Sequence, residues 1–195
     1  MTVKAKATVR ATEKPKDKEQ TAEELINGLI DKSEKALDQL RTFSQEQVDK
    51  ICQNLALAAE EHHMDLAISA AEETGRGVAE DKAIKNIYAS EYIWNNIRND
   101  KTVGIIDEDD ENQMITIADP LGVIAGVVPV TNPTSTVIFK SIIALKTRNT
   151  IIFSFHPQAF KSCLKTGQIL EAAAEAAGAP KDAVSYTHLT LPTKA

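Results

Sequence analysis

The sequence is poor in glycine, cysteine and aromatic residues. It has 8 glycines in 195 residues, where about 14 are usual, which excludes a collagen-like chain and disfavours a turn-rich all-β fold. Aromatic residues make up only 5%. Its two cysteines, Cys52 and Cys163, provide neither a disulfide framework nor zinc-ligand spacing. We therefore expect no metal site and a reducing, cytoplasmic setting.

Long apolar runs and an excess of positive charge are also missing. The longest apolar run, Val123 to Val130, is far shorter than the roughly 20 residues that a bilayer needs. The N-terminus has no apolar region of the secretory-signal type. Lysine and arginine number 22 against 28 acidic residues, for a net charge of −6. We therefore expect neither a membrane nor nucleic acid as a partner.

What is present is a helical first half. Hydrophobic residues make up 43% of the chain, which is enough for a core. Residues 1–20 are polar and lysine-rich, and this composition predicts a disordered extension or, alternatively, a basic arm that contacts a partner. From residue 21 to 98, helical spacing of apolar residues predicts about four helices, and the fourth includes Ile84. A capping box at Ser44–Gln47 marks the start of one of these helices, and a left-handed C-cap at Gly75 marks the end of another.

The second half changes period. Residues 114–117 are β-prone and predict a short strand. The acidic run 107–111 before it is interpreted as solvated turn charge rather than a cation site, because no glycine or EF-hand spacing organises it. Two apolar runs, each followed by a helical segment, predict a β-α-β-α unit whose strands are buried on both faces of a parallel sheet. The predicted elements are strands Leu121–Val128 and Thr150–Ser154 and helices Thr134–Arg148 and Pro157–Ala177.

Polar side chains and prolines follow both predicted strands. Ligands of parallel α/β sheets bind at this carboxyl edge, and the two loops, 128–133 and 154–157, lead into helix N-termini that favour anions such as phosphates. Asn132 can either cap its helix or offer an amide to a developing oxyanion. No glycine-rich dinucleotide fingerprint and no P-loop lysine accompanies them. The residues alone thus predict an α/β domain with a possible nucleotide site.

The motifs around these loops resemble the aldehyde dehydrogenase superfamily, and its CoA-acylating branch in particular. The resemblance is strongest to the N-terminal part of the bifunctional aldehyde–alcohol dehydrogenases of fermenting microbes, and it covers residues 21–184. It is carried by Asp119–Ile124, Pro129–Ser135, Phe139–Ser141, Leu145–Asn149, Ile151–Ser154, Gln45–Ile51, Glu80–Lys82 and Ala89–Ile93.

The resemblance implies an NAD-dependent enzyme that interconverts acetyl-CoA and acetaldehyde through a thioester on a cysteine. It implies NAD, CoA and a short aldehyde as partners, a homo-oligomeric parent, and iron only in an alcohol dehydrogenase domain that this chain does not contain. The implied NAD-contacting segment is Val127, Val128, Pro129, Val130, Thr131 and Asn132. Ser154, His156 and Pro157 match the place of the adenosine part of NAD or CoA.

Two details of the loops differ from the family pattern. The second loop reads Ser-Phe-His-Pro, with Phe155 where the bifunctional relatives usually have proline. In the first loop, aligning on Pro129 and Pro133 puts Thr131 in the column of the family's oxyanion-stabilising asparagine, with Asn132 next to it.

No residue of the chain matches the family's nucleophile. Cys52 and Cys163 fall on apolar helix faces and are interpreted as core residues. The catalytic cysteine is expected downstream of this sequence, so the chain alone is expected to be inactive. His62 and His63 end a helix and are interpreted as surface residues rather than metal ligands.

The expected architecture is a truncated aldehyde dehydrogenase fold of the α/β class, with a helical N-terminal sheath followed by an incomplete Rossmann-like parallel sheet. Residues 21–100 form the helical part of the cofactor domain, 101–118 the arm strand segment, and 119–184 the first half of the NAD-binding unit. The arm strand resembles the one that joins the family's oligomerisation sheet. Residues 185–195 look like translated adapter or vector sequence, which predicts a non-native tail. The alternative function is a non-catalytic nucleotide-binding or subunit-interaction fragment.

Overall fold

The structure, a computed structural model, describes residues 21–187 and 189. The predicted extension, 1–20, and most of the predicted tail, 188 and 190–195, lie outside the described residues. The helices are α1 Ala22–Leu40, α2 Gln45–Glu61, α3 His63–Thr74, α4 Ala79–Ile87, α5 Ile93–Ile97, α6 Pro133–Lys146 and α7 Phe160–Ala176, and the strands are β1 Gly104–Asp109, β2 Met114–Ala118, β3 Val123–Val128, β4 Thr150–Phe155 and β5 Val184–Thr187. A π-helical segment, Tyr88–Tyr92, joins α4 to α5, and a 3-10 turn, Pro157–Ala159, precedes α7.

The helical half starts and stops at the local signals that the sequence carries. Thr21 and Ser44 each form a complete capping box, with Glu24 and Gln47 as the respective third helical residues. α3 ends at Gly75, whose φ of 62° is left-handed and therefore suits glycine. The predicted capping box and C-cap are confirmed.

α4 buries polar side chains as well as an alanine. Ile84 is 66% exposed, whereas Lys82, Ala83 and Asn86 are buried. Although Ile84 belongs to the apolar pattern that predicts this helix, it does not contribute to the core. The polar residues take the inner face because their hydrogen bonds hold the loop after β3, as described below.

β3, β4 and β5 form a parallel sheet in that order, as expected for an incomplete Rossmann-like sheet. β3 and β4 approach closely at Gly126, where a Cβ would lie 2.7 Å from Cδ1 of Phe153. The third strand includes Ser185–Thr187, which we expected to lie outside the fold. Tyr186 joins the sheet because its ring stacks on Phe155, with centroids 5.9 Å apart, and its hydroxyl donates to Glu171 at 3.1 Å.

The central strand, β4, separates two helical layers. Ile151 and Phe155 are buried on the side of α6 and α7, which are covered in turn by α2. Ile152 and Ser154 lie on the opposite side, toward α1. β3 is an edge strand, and Val127 on it is 51% exposed. The expectation that β3 is buried on both faces is wrong, because α1 covers the sheet incompletely.

β1 and β2 form an antiparallel hairpin apart from the parallel sheet. Residues 107–109 of the acidic run lie in β1, so the interpretation of the whole run as turn charge is wrong in part. Asp109 accepts hydrogen bonds from the backbone and side chain of Asn112 at 3.0 and 2.7 Å, and these bonds lower the pKa of its carboxyl. Across the described residues, no group of three or more His, Cys, Asp or Glu could hold a metal ion. None of the described helices is long and apolar enough to span a bilayer.

Candidate functional site

The two strand-end loops lie side by side. Val127 pairs with Ser154 and Val128 with Phe155, so β3 and β4 end at the same edge of the sheet. The structure narrows the two predicted loops: the first loop is residues 129–132, between β3 and α6, and the second loop is residues 156–159, between β4 and α7. The structure therefore brings the predicted site residues together along one edge, at the position where α/β sheets bind ligands.

Two lysines of α4 hold the first loop. The ammonium of Lys82 donates to the carbonyl oxygen of Thr131 at 2.9 Å, and that of Lys85 donates to Oδ1 of Asn132 at 3.0 Å. Lys82 is 6% exposed. Its burial, with a smaller contribution from the charge of Lys85, lowers the pKa of its ammonium.

Asn86 fixes the start of α6 from the same face of α4. Its Nδ2 donates to the carbonyl of His63 at 2.9 Å, and its Oδ1 accepts from the hydroxyl of Thr134 at 2.8 Å. Asn86 is fully buried, and both of its polar atoms are satisfied, as a buried amide requires. The first loop is thus anchored on both sides of Asn132.

Asn132 does not cap α6. It occupies the N-cap position with φ −131° and ψ 60°, and its side chain makes no capping hydrogen bond. The capping interpretation is wrong because Oδ1 accepts from Lys85 instead. No side chain of the described residues bonds the first N–H groups of α6, which are those of Thr134 and Ser135 because Pro133 has none.

The second loop is closed by the protein itself. Nδ1 of His156 accepts from the backbone N–H of Gln158 at 3.2 Å. The carboxylate of Glu73, at the end of α3, accepts from the backbone N–H groups of Lys161 and Ser162 at 2.8 and 2.7 Å. The expectation that the helix N-terminus awaits an external anion is therefore wrong for α7, and for α6 it stays a prediction.

The predicted site residues differ in what they offer a ligand. The hydroxyl of Ser154 donates to the carbonyl of Leu189 at 3.2 Å, and Val128 is 2% exposed, so it can contribute only backbone atoms. Val127, Pro129, Thr131 and Pro157 are exposed, whereas Val130, Asn132, Ser154 and His156 are half-buried.

Two apolar grooves border this edge. The α1 groove, of about 610 Å³, lies between α1 and the open face of the sheet and is lined by Ile26, Ile30, Val127, Ile152, Ser154 and Thr187. The α4–α6 groove, of about 540 Å³, begins beside the first loop and is lined by Ile84, Lys85, Tyr88, Asn132, Ser135 and Phe139. Lys85, Asn132 and Ser135 are the polar residues of an otherwise apolar lining.

Both cysteines are core residues, as predicted. Cys52 and Cys163 are 0% exposed. Burial raises the pKa of each thiol to about 12. The thiolate is the nucleophilic form, and burial disfavours this form at both cysteines.

Three residues that act on the loops were not identified from the sequence. Lys82 and Lys85 contact a loop that follows them by almost 50 residues, and Glu73 contacts α7 at a separation of 88 residues. Their side chains carry no local pattern that points to these partners. The only available signal is the three-residue spacing of the lysines, which puts them on one helix face.

Comparisons with known proteins place the chain in context. The aldehyde dehydrogenase family matches residues 7–190. The bifunctional aldehyde-alcohol dehydrogenase AdhE of Escherichia coli (strain K12) is 52% identical over 161 residues, which are 83% of this chain and 18% of that protein. The chain therefore spans less than a fifth of the length of this curated relative.

Solved structures agree with the sequence matches. A probable aldehyde dehydrogenase from Listeria monocytogenes EGD-e superimposes with a TM-score of 0.84 and 44% identity, over 86% of this chain and 37% of that one. An acetylating aldehyde dehydrogenase from Geobacillus thermoglucosidasius gives 0.83 and 44% over the same shares. A more distant propionaldehyde dehydrogenase from Rhodopseudomonas palustris, with a TM-score of 0.71, 28% identity and 83% and 36% coverage, was solved with bound CoA and an acylated cysteine.

Proposed function

Since this chain belongs to the aldehyde dehydrogenase family, we propose that it is the N-terminal part of an NAD-dependent, CoA-acylating acetaldehyde dehydrogenase. Such an enzyme converts acetyl-CoA and NADH reversibly into acetaldehyde, CoA and NAD. The resemblance to bifunctional relatives supports a parent that also carries an iron-dependent alcohol dehydrogenase part. The two free cysteines suit a reducing compartment, and we propose a cytoplasmic location.

The observation that carries the proposal is the open carboxyl edge of β3. There the first amides of α6 have no side-chain cap, and Lys82 and Lys85 concentrate positive charge beside them. A diphosphate such as that of NAD or CoA fits this chemistry, because helix N-termini and ammonium groups both favour anions. When bound, NAD would accept the hydride of the aldehyde.

The α4–α6 groove supports a short acyl chain or aldehyde as the other reactant. It is apolar along most of its lining, and Asn132 is among its polar residues. A carbonyl group placed there would have its alkyl part among Ile84, Tyr88 and Phe139 and its oxygen near the amide. This arrangement suits the oxyanion-stabilising role that the sequence left open for Asn132.

We further propose that the chain alone is inactive. A thioester mechanism needs a cysteine with an accessible thiolate, and Cys52 and Cys163 are buried thiols with a pKa of about 12. The purified chain should form no acetyl-CoA from acetaldehyde, CoA and NAD. Production of acetyl-CoA above the rate of a heat-denatured control would contradict this.

Calorimetric titration of the chain with NAD tests the cofactor site. We expect saturable heat for the unchanged chain and an affinity about tenfold lower for Thr131→Glu, because a carboxylate at the exposed Thr131 repels the diphosphate by about 1.4 kcal/mol. Ala172→Glu is the matched control, since it adds the same charge at an exposed position of α7. A flat trace from a folded chain would remove the NAD-binding claim.

The alternative, a subunit-interaction fragment, is favoured by the β1–β2 hairpin. Met114, Ile115 and Ile117 are 59%, 61% and 63% exposed on β2, and exposed apolar strand surface favours association with another chain. A parent homo-oligomer built through this hairpin would cover them. Light scattering tests this alternative. An average molecular mass that rises with protein concentration, and that is lower for Ile115→Lys than for the unchanged chain, supports association through the hairpin.

A further inference from the structure

The ammonium groups of Lys82 and Lys85 contact neutral oxygen atoms rather than carboxylates. The two lysines lie three residues apart on one face of α4, and both ammonium groups end on oxygen atoms of the first loop. Within residues 21–187 and 189, neither of them forms a salt bridge. Lys82 is moreover 6% exposed, and a buried ammonium without a counter-charge is costly. The hydrogen bond from Lys82 to the first loop offsets part of this free-energy cost, which an apolar side chain at this position would not have.

The contact with Lys85 determines how the Asn132 amide is turned. An ammonium group can only donate hydrogen bonds, so the amide must face Lys85 with its oxygen. The amide nitrogen is then directed to the other side. Among the described residues its hydrogen-bond contact is with Oγ1 of Thr131 at 3.4 Å, near the limit for a hydrogen bond. The NH2 group therefore retains a donor that a ligand can use.

Lys82 fixes the peptide that carries this amide. Its bond to the carbonyl oxygen of Thr131 restrains the residue immediately before Asn132. Thr136 restrains Asn132 itself, since its hydroxyl donates to the Asn132 carbonyl at 2.6 Å. The backbone is thus held on both sides, and Lys85 needs only to select the orientation of the side-chain amide.

We propose that Lys85 and Lys82 are positioning residues, which hold Asn132 so that its NH2 group can donate to the carbonyl oxygen of an acyl group or aldehyde in the α4–α6 groove. The inference rests on the proposed function, because that function supplies the carbonyl ligand. It adds that the donor is set by an ammonium on another helix, 47 residues away in the sequence.

Side-chain amide NMR of the whole chain tests the inference. The Asn132 NH2 signals are assigned by their loss in Asn132→Ala. In Lys85→Met, which keeps the stem and removes the ammonium, we expect these signals to shift and the amide protons to exchange faster with water. Lys85→Arg keeps a charged donor and should restore both properties. Lys50→Met removes an equal charge from an exposed position of α2 and should change neither.

A carbonyl probe then tests the donor itself. Acetone accepts hydrogen bonds and cannot donate one. It should shift the Asn132 NH2 signals in the unchanged chain and in Lys85→Arg, and this response should be lost in Lys85→Met. A merely structural lysine would lower stability in Lys85→Met without making the acetone response depend on a charged donor. If Lys85→Met does not fold, Lys85→Gln replaces it, because a neutral amide there permits both orientations and should give two sets of Asn132 signals.

The outcomes separate this inference from the proposed function. Asn132 signals that are the same in Lys85→Met and the unchanged chain would overturn the inference, whatever the NAD titration shows. An unchanged chain that does not respond to acetone would overturn it as well. A flat NAD titration together with a Lys85-dependent acetone response would instead remove the cofactor claim and support the positioning role.

Discussion

The two loops at the carboxyl edge of the sheet have the same topology and opposite electrostatics. The first loop is held by the ammonium groups of Lys82 and Lys85 and leads into an uncapped α6. The second is closed by His156, and the carboxylate of Glu73 covers the amides at the start of α7. Equivalent positions in a repeated β-α unit are therefore not equivalent binding sites. The carboxylate of Glu73 disfavours an external anion at the second loop, and no side-chain carboxylate of the described residues takes that place at the first.

The largest effect that we predict concerns the two thiols that are buried in the core. Cys52 lies on α2, with Sγ 3.6 Å from the carbonyl of Ile142 in α6, and Cys163 lies on α7. Burial raises both pKa values from 9.0 to about 12. Between these values the unfolded chain binds fewer protons, so stability should be intact below about pH 9 and fall as pH rises toward 12. The expected loss is about 1.4 kcal/mol per pH unit for each thiol.

Urea unfolding between pH 8 and 11 measures this loss. The stability of the double variant Cys52→Ala, Cys163→Ala should depend much less on pH. Each single variant reports on the remaining thiol. Tyr186, whose pKa is also raised by burial, adds to the fall, while the lowered pKa of Lys82 opposes it; both remain in every variant. Identical slopes for the unchanged chain and the double variant would show that the thiols ionise freely in the folded state.

The second prediction concerns a variant in which α7, like α6, has no side chain from the described part of the chain bonded to its first amides. Glu73→Ala removes two charge-assisted hydrogen bonds from the start of α7 and should lower the free energy of unfolding by about 2 kcal/mol. Because the exposed amides then favour an external anion, sulfate should restore more stability to the variant than it adds to the unchanged chain. Chemical unfolding with and without sulfate measures both effects.

Glu72→Ala is the matched control for that variant. Glu72 is the exposed neighbour of Glu73 on α3 and should change stability by less than about 0.5 kcal/mol. Equal losses in the two variants would mean that α7 does not depend on the carboxylate, and the contrast between the loops would then rest on the first loop alone.

The contrast between the loops also shows what sequence reasoning reaches. The capping box at Ser44 and the C-cap at Gly75 depend on partners within four residues, so local patterns predict them. The strands follow from apolar runs, and the family resemblance from motifs at their ends. Asn132 failed as a predicted cap because its partner, Lys85, is 47 residues away in the sequence. Local apolar spacing likewise does not indicate that Ile84 is exposed, since a distant loop determines which face of α4 is buried.

The smallest predicted effect compares the loss of stability when one side chain is truncated in each loop. His156→Ala removes an acceptor from the backbone N–H of Gln158 and should lower the free energy of unfolding by about 0.5–1 kcal/mol, as for other lost caps. Asn132→Ala should cost less than about 0.5 kcal/mol, because the amide caps nothing and the exposed Lys85 can bond water instead. Parallel urea titrations measure the pair. A larger loss of stability in Asn132→Ala than in His156→Ala would mean that the Lys85 contact supports the fold. The expected order means that the Asn132 amide contributes little to folding and is therefore available to bind a ligand.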